Sequence, residues 1–371
     1  MDGIVIVRTG GEIGIKSKPV KREYGDILLK SIKESLREHS IPFSRIWRDS
    51  GRIYVLTPVP KLVAELASRT FGISSVSPGL ALPSNYDEIV KAGISYAMQA
   101  LRPGTFAVRC RRVGEHPFTS QQIEAAVGKG ALEKVKGLKV DLDSPEQEIG
   151  IEIRKDLAIV YAETIYGPDG FPTGTQDPFV GMIDETAESV IASWSIMKRG
   201  SPLVAVALGE INDQRMQSNL NALARWLPKK GYRCLLCPPP AIKLQKSELR
   251  TLHYLIALRY AMNNQIGAVV SGLSPRTLED AKTLFSLAQQ AGVCPFFPLI
   301  AAEKTTIESW ASLIPISLDS APRYGETAPP KVPINDAAID EIIMSSKEIR
   351  ISYCRPLGPS LTSVSGPPDR S

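Results

Sequence analysis

From Phe179 onward the sequence alternates short apolar runs with amphipathic stretches. A short apolar run between turn residues is typical of a strand buried on both faces, and the longer amphipathic stretches are typical of helices. Regular alternation of strand and helix predicts a parallel, doubly wound α/β sheet with helices on both sides. The predicted strands are Phe179–Ile183, Leu203–Leu208, Tyr232–Cys237, Ala268–Ser271 and Cys294–Leu299.

The first eighty residues predict a different, α+β arrangement. Their predicted elements, in chain order, are a strand at Ile4–Arg8, a helix at about Val20–His39, strands at 43–47 and 52–57, a helix at 61–70 and a short strand at Ser75–Ser77. The order βαββαβ is that of a ferredoxin-like domain.

A second small α/β unit is predicted between these two regions. It follows a polar hinge at Leu82–Tyr86 and contains a helix that begins after the hydroxyl of Thr119 and two strands on either side of Lys155. After about Leu318 the chain is rich in Pro, Gly and Ser, which indicates a weakly ordered tail with one helix at Asp336–Ser346. The predicted domains are 1–80, 81–176 and 177–318, followed by the tail 319–371.

Composition argues against several classes of protein. Five scattered cysteines disfavour a disulfide framework, and three histidines leave little material for a histidine metal centre or a Ser/His/Asp triad. No apolar run approaches the roughly 18 residues that cross a bilayer, so we expect a cytoplasmic protein without membrane contact. Residues 1–80 hold 13 Lys and Arg against 8 Asp and Glu, which suits a polyanionic partner without requiring one.

Several short motifs follow one another along the chain. They are Gly11-Glu-Ile-Gly-Ile-Lys16, Phe71-Gly-Ile73, Thr105-Phe-Ala-Val-Arg-Cys-Arg-Arg112, Ile151-Glu-Ile-Arg154, Gly167-Pro-Asp-Gly-Phe-Pro-Thr-Gly-Thr175 and Lys198-Arg-Gly200. In this order they resemble the tRNA 4-thiouridine synthetase (ThiI) family over about residues 3–312.

The resemblance implies a ferredoxin-like domain, a THUMP RNA-binding domain and a PP-loop ATP-pyrophosphatase domain. In that family the first two domains bind the acceptor end of tRNA. The third adenylates a uridine and exchanges its oxygen for sulfur. The resemblance therefore implies tRNA as a partner of the front half. What it implies for catalysis depends on the phosphate loop.

The SGGxDS phosphate loop of the family corresponds to Asp184, Glu185, Thr186, Ala187, Glu188 and Ser189. Both glycines are replaced, so the backbone cannot approach a phosphate as closely, and Glu185 adds negative charge where the pyrophosphate would lie. We predict that Asp184 caps the following helix while Glu185 and Glu188 offset its dipole. The alternative is that Asp184 and Glu188 hold Mg²⁺ with a nucleotide. Gly272, in the next loop facing the nucleotide, is retained.

Sulfur transfer would also need a thiol. Cys234 and Cys237 form a CxxC motif, but within a strand the positions i and i+3 point to opposite faces, so we interpret both as structural. Cys354 is the tail cysteine, with Arg355 beside it. These three are the candidates for a sulfur carrier if the protein is an active enzyme.

Arginines on one predicted strand are the best candidates for RNA contacts. Arg109 and Arg111 are two residues apart and share one strand face, with Arg112 on the other, and the guanidinium fork suits phosphate oxygens. Further candidates, each of which could instead be an ordinary solvated charge, are Arg154, Lys155, Lys198, Arg199, Lys16 and Lys18.

The sequence thus predicts a tRNA-binding protein that acts in tRNA thiolation without its own ATP-dependent catalysis and without a bound cofactor. It would deliver or position tRNA for a separate sulfur-transfer enzyme. The alternative is an active tRNA uracil 4-sulfurtransferase that uses ATP, Mg²⁺ and a remodelled nucleotide site. The sequence leaves a homodimer open.

Overall fold

Residues 3–49, 51–209, 213–227, 231–240, 244–274, 278–314, 316 and 336–352 are described by the computed structural model. They divide into a first unit of residues 3–68 and 73–167 and a second unit of residues 69–72 and 168–352. None of the helices in these ranges is both long and apolar enough to cross a membrane.

Within the described residues of the first unit, nine strands form one sheet. The strands are β1 (Gly3–Thr9), β2 (Arg45–Asp49), β3 (Arg52–Leu56), β4 (Ile73–Pro83), β5 (Gly104–Val113), β6 (Leu138–Val140), β7 (Gln147–Arg154), β8 (Leu157–Tyr161) and β9 (Ile165–Tyr166). The helices are α1 (Gly11–Gly14), α2 (Lys18–Glu38), α3 (Pro60–Ala67), α4 (Tyr86–Ala100) and α5 (Ser120–Lys134). The strand order is β2-β3-β1-β4-β8-β7-β5-β6, with β9 beside β4.

The predicted ferredoxin-like order is confirmed, but β4 is much longer than the three residues predicted at Ser75–Ser77. It has 11 residues because it pairs with β1 and β9 through its first part and with β8 through its second. Pro78 and Gly79, which disfavour strand interiors, lie in the middle of it and obscured its length in the sequence. One strand therefore belongs both to the ferredoxin-like part and to the part that follows.

The sheet of the first unit is strongly curled. Arg52 on β3 and Glu152 on β7 are separated by four inter-strand spacings, which in a flat sheet would hold them about 19 Å apart. Instead, the guanidinium Nε of Arg52 lies 3.0 Å from a carboxylate oxygen of Glu152. Apolar side chains of Ile4, Ile6 and Ile159 pack together inside the curl.

Two helices cover the other face of the β5, β7 and β8 strands. Ile89 of α4 and Ile123 and Val127 of α5 pack against a core that includes Phe106 and Ile151. The predicted hydroxyl cap of α5 is confirmed: Thr119 accepts a hydrogen bond from the backbone N–H of Gln122, and the Gln122 side chain accepts one from Thr119. Neither of these two helices lies on the inner face of the curled sheet.

The second unit contains a six-stranded sheet within its described residues. Its strands are β10 (Phe179–Ile183), β11 (Leu203–Leu208), β12 (Tyr232–Cys237), β13 (Ala268–Val270), β14 (Cys294–Phe296) and β15 (Lys347–Ile351). Its helices are α6 (Ala187–Met197), α7 (Gln214–Ala224), α8 (Lys246–Asn263), α9 (Leu278–Gln290), α10 (Lys304–Leu313) and α11 (Asp336–Ser345). The order is β14-β13-β10-β11-β12-β15, and all pairings are parallel except that of β15 with β12.

The parallel sheet and the helix at α11 were predicted from the sequence, whereas β15 was not. The guanidinium of Arg259 on α8 donates hydrogen bonds to both carboxylate oxygens of Asp340 on α11, at 2.7 and 3.0 Å. Ile339 of α11 is buried in the core on the α8 side of the sheet. These contacts, together with the pairing of β15 with β12, make residues 336–352 an ordered part of the second unit, in a region predicted to be weakly ordered.

Candidate functional site

The strand order of the second unit places a crevice after β10. The chain leaves β10 for one side of the sheet and reaches β13, its other neighbour, from the opposite side, which is where open α/β sheets bind ligands. Asp184, Glu185 and Thr186 connect β10 to α6 at this point, and Gly272 follows β13. The structure therefore brings the residues of the predicted degenerate nucleotide loop together.

Thr186, rather than Asp184, caps α6. Its backbone is extended, and its hydroxyl accepts a hydrogen bond from the N–H of Ser189 at 3.3 Å. Asp184 lies two residues earlier, where its carboxylate accepts hydrogen bonds from the N–H of Thr186, at 2.8 Å, and from the Thr186 hydroxyl. The predicted cap was wrong because the helix begins at Ala187, two residues later than expected, and only Glu188 of the two glutamates lies in its first turn.

The remaining polar groups of the loop also bond within the protein. The Ser189 hydroxyl donates to the carbonyl of Thr186 at 2.9 Å and accepts from the N–H of Asp184 at 3.3 Å. The amide of Asn219 on α7 donates to the carbonyls of Asp184 and Thr186, at 2.8 and 3.1 Å. The N–H groups of residues 184, 186 and 189 are thus engaged by side chains of the loop itself, and a phosphate would have to displace these bonds.

Gly272 lies directly against the first turn of α6. A Cβ atom at this position would stand 2.5 Å from the N of Ser189 and 2.7 Å from the carbonyl carbon of Glu188, so no other residue fits without a shift. Backbone therefore fills the space beside the helix N-terminus. Glu185 is exposed at the mouth, and Asp184 and Glu188 are half-buried.

His253 was not among the predicted site residues. It is buried on α8, and its Nε2 donates to the carbonyl of Val206 at 2.8 Å. Burial lowers the pKa of His253, whereas the bond to Val206 and the charge of Asp184 oppose this effect. A long-range contact of this kind leaves no sign in a sequence with three isolated histidines.

The two cysteines of the CxxC motif point to opposite faces of the sheet, as their spacing predicts. Cys234 packs in the core that contains Trp194, and Cys237 packs in the core that contains Tyr254. Burial raises the pKa of Cys234 to about 12, with a further contribution from Cys237. Burial likewise raises the pKa of Cys237 to about 11. Both thiols are therefore protonated at neutral pH and cannot act as a pair.

The other cysteines differ in their surroundings. Cys294, at the start of β14, is exposed, although it was not among the predicted sulfur carriers. Burial raises the pKa of Cys110 on β5 to about 11. Cys354, the third predicted candidate, lies outside the described residues.

The candidate RNA contacts on β5 lie as predicted. Arg109 and Arg111 are exposed on one face, and Arg112 points to the other, where it donates to the carbonyl of His116 at 3.3 Å. Arg109 forms an ion pair of 3.2 Å with Glu148 on β7. Glu148 therefore neutralises part of the charge of Arg109, the residue next to Arg111 on this face.

Arg154 does not lie on the surface with the β5 arginines. It is 8% exposed and forms an ion pair with Glu152 at 3.7 Å inside the curled sheet. The adjacent Lys155 is exposed at the turn between β7 and β8, with a left-handed backbone (φ +46°). Of these two predicted RNA contacts, Arg154 thus lies in the interior of the first unit and Lys155 at its surface.

The other predicted basic residues fall into two places. Lys16 and Lys18 are exposed near the start of α2, where Lys18 borders a surface depression of about 390 Å³ that Arg22 and Arg48 also line. Lys198 and Arg199 follow α6 in the second unit, and the ammonium of Lys198 lies 5.7 Å from the ring centre of Trp194.

Known proteins resemble this chain over nearly its whole length. A protein named "Probable tRNA sulfurtransferase" from Methanosarcina acetivorans is 30% identical over 372 aligned residues, which cover 94% of this chain and 90% of that protein. The crystal structure of PH1313 from Pyrococcus horikoshii is 29% identical, with a TM-score of 0.68, and the match covers 85% of this chain and all of that one. The fold also matches, at 19% identity and a TM-score of 0.73, a 4-thiouridine synthetase in complex with RNA and ATP, covering 95% of this chain and 100% of that one.

Two domain families match the first unit. The ThiI ferredoxin-like domain matches residues 4–77, and the THUMP domain matches residues 83–163. The first range ends and the second begins within β4, the strand common to both parts, and β9 lies outside both ranges. Together with the full-length relative, they show that the chain belongs to the tRNA sulfurtransferase (ThiI) family.

Proposed function

We propose that the protein binds tRNA through its first unit and takes part in tRNA thiolation without ATP-dependent catalysis of its own. Its membership of the ThiI family and its THUMP domain support the tRNA ligand. Arg109 and Arg111, side by side on an exposed strand face, supply the charge that phosphates attract. A separate enzyme would then supply the sulfur, while this protein positions the acceptor end of the tRNA.

One observation carries the proposed loss of catalysis. In the loop after β10, the backbone N–H groups that could hold a pyrophosphate already donate to Asp184, Thr186 and Ser189. Gly272 packs against the same turn, and Glu185 places a further negative charge at its mouth. A nucleotide would therefore find neither free N–H donors nor a complementary positive charge at this site.

The alternative is an active ATP-dependent tRNA sulfurtransferase with a remodelled nucleotide site. The observation that favours it is the exposed Cys294, since a sulfur carrier must be accessible and the buried Cys234 and Cys237 are not. Under this alternative Asp184 and Glu188, both half-buried in the crevice, would hold Mg²⁺ with ATP.

Calorimetric titration with Mg-ATP, with and without bulk tRNA, separates the two functions. We expect no binding heat in either titration, because two charges about 4 Å apart repel by about 4 kcal/mol at an effective dielectric near 20. The matched variants are Glu188→Gln, which removes a carboxylate that would hold Mg²⁺, and Glu341→Gln at an exposed site on α11. Micromolar binding that Glu188→Gln weakens and Glu341→Gln preserves would favour the enzyme instead.

A salt series tests the RNA-binding part. We expect Arg109→Gln to weaken tRNA binding and to reduce the slope of log affinity against log salt by about 0.9, the value for one lost phosphate contact on a duplex. Lys91→Gln, an exposed change on the outer helix α4, is the control and should leave the slope unchanged. Filter binding at several salt concentrations provides the measurement, and equal slopes for both variants would exclude Arg109 as a contact.

A further inference from the structure

Inside the curled sheet of the first unit, arginines outnumber carboxylates. Glu152 of β7 is 2% exposed, and its carboxylate lies 3.3 Å from the guanidinium of Arg8, 3.0 Å from that of Arg52 and 3.7 Å from that of Arg154. Arg111 is the residue of β5 directly beside Glu152 in the sheet. We call these four arginines and Glu152 the arginine cluster.

The arginine cluster carries an excess of positive charge in a partly dehydrated place. Burial lowers the pKa of Arg52, Glu152 opposes this, and the charges of Arg154 and Arg111 lower it further. Asp49, paired with Arg52 on the neighbouring strand β2, adds one carboxylate near the mouth. The two carboxylates cannot neutralise the positive charge of the four guanidinium groups. A buried charge is stable only when it is paired.

Tyr54 supplies an independent sign of a ligand. Its ring is 1% exposed, and its hydroxyl has no hydrogen-bond partner within the described residues. Tyr54 is two residues after Arg52 on β3, so its side chain lies on the same inner face of the sheet as the arginine cluster. Buried hydroxyls nearly always have partners, and an orphaned one beside excess cations indicates a missing acceptor.

We propose that the arginine cluster and the Tyr54 hydroxyl bind a phosphate group of the RNA backbone. Guanidinium forks and a phenol all donate hydrogen bonds, and phosphate offers several acceptor oxygens to such a set. This inference rests on the proposed RNA binding and adds to it a specific phosphate subsite on the inner face of the sheet.

The neighbouring aromatic rings favour phosphate recognition over base stacking. The guanidinium of Arg8 lies 5.1 Å from the ring centre of Tyr161. The rings of Trp47 and Tyr54 stack with their centres 5.2 Å apart, and the guanidinium of Arg45 lies 4.9 Å from the ring centre of Trp47. Because these rings already contact protein groups, the site offers charge and donors rather than a free stacking surface.

The arginine cluster is partly accessible to solvent. Arg111 is exposed, and the side chain of Arg8 keeps 20% of its surface accessible. Arg52 retains 11%. The ligand would therefore enter beside Arg111 and complete its contacts with the deeper groups.

The test uses the full-length chain and inorganic phosphate as the probe. We measure hydrogen exchange of β1, β3 and β7 in phosphate and in chloride at equal ionic strength. Phosphate should slow exchange in these strands, and Tyr54→Phe and Arg111→Gln should each weaken the apparent phosphate affinity by about tenfold. Tyr54→Phe removes only an unpaired hydroxyl, so the variant should fold, and Lys91→Gln on α4 serves as the unaffected control.

A second arm uses a short single-stranded RNA and tRNA to identify the source of the phosphate. Both RNAs should bind Tyr54→Phe and Arg111→Gln more weakly than the unmodified protein, with a lower salt slope for Arg111→Gln. If tRNA binds but phosphate acts no differently from chloride, the subsite is refuted while the proposed function stands. If phosphate binds but neither RNA does, both the RNA subsite and the proposed tRNA binding are refuted.

Discussion

Glu152→Ala should lower the free energy of unfolding of the first unit by about 3–5 kcal/mol, because it leaves Arg8, Arg52 and Arg154 without their shared carboxylate in a buried place. The loss should appear as faster hydrogen exchange in β1, β3 and β7, the three strands that the carboxylate joins. Exchange is the suitable measurement because a chain of two units need not unfold in one step.

Glu148→Ala is the matched control for this change. Glu148 lies on the same strand and also pairs with an arginine, but both side chains are about half exposed. An exposed pair of this kind contributes about 1 kcal/mol at most. Equal effects of the two substitutions would show that Glu152 is not the centre of a buried ion cluster. Phosphate should recover part of the stability lost in Glu152→Ala if it binds the same arginines.

Alkylation of the folded protein at pH 8 should modify Cys294 at least about 100 times faster than Cys110, Cys234 or Cys237. Cys294 is exposed, whereas burial raises the pKa of the other three thiols to about 11, 12 and 11. The thiolate is the reacting form, so a pKa raised by two units lowers its fraction about 100-fold before access is considered.

The pH dependence of this reaction follows from the direction of the shifts. At pH values below their pKa, the thiolate fractions of the three raised thiols grow about tenfold with each pH unit, so their rates should still be rising at pH 10. Mass spectrometry of the digested protein assigns each modified cysteine. Rapid labelling of Cys234 or Cys237 at pH 8 would contradict their burial and would return them to the list of sulfur carriers.

Local patterns in the sequence predicted most of the elements, and pairing between distant residues explains the exceptions. The order βαββαβ and the parallel sheet follow from apolar spacing that each segment carries by itself. The length of β4 depends on β1 and β8 as partners, and β15 exists because β12 offers it an edge. The sequence of a segment contains no information about which edge is open to it.

The same distinction between local patterns and distant contacts applies to the candidate site. The shared face of Arg109 and Arg111 follows from the two-residue repeat of a strand. The burial of Arg154 and the arginine cluster could not be predicted, since Arg52 and Glu152 are 100 residues apart and meet only because the sheet curls. The helix cap was misplaced by two residues because Asp184 and Thr186 are both good capping residues, and only the backbone geometry decides between them.

The strand β4 has a mechanical consequence. Because it runs without interruption from the ferredoxin-like part into the THUMP part, no flexible linker sets the distance between α2 and the arginines of β5. That distance is set by the twist and curl of one sheet and not by a tether between two modules. If the first unit binds RNA as proposed, an RNA that contacts both α2 and β5 would be selected by its length and shape, without any reading of individual bases.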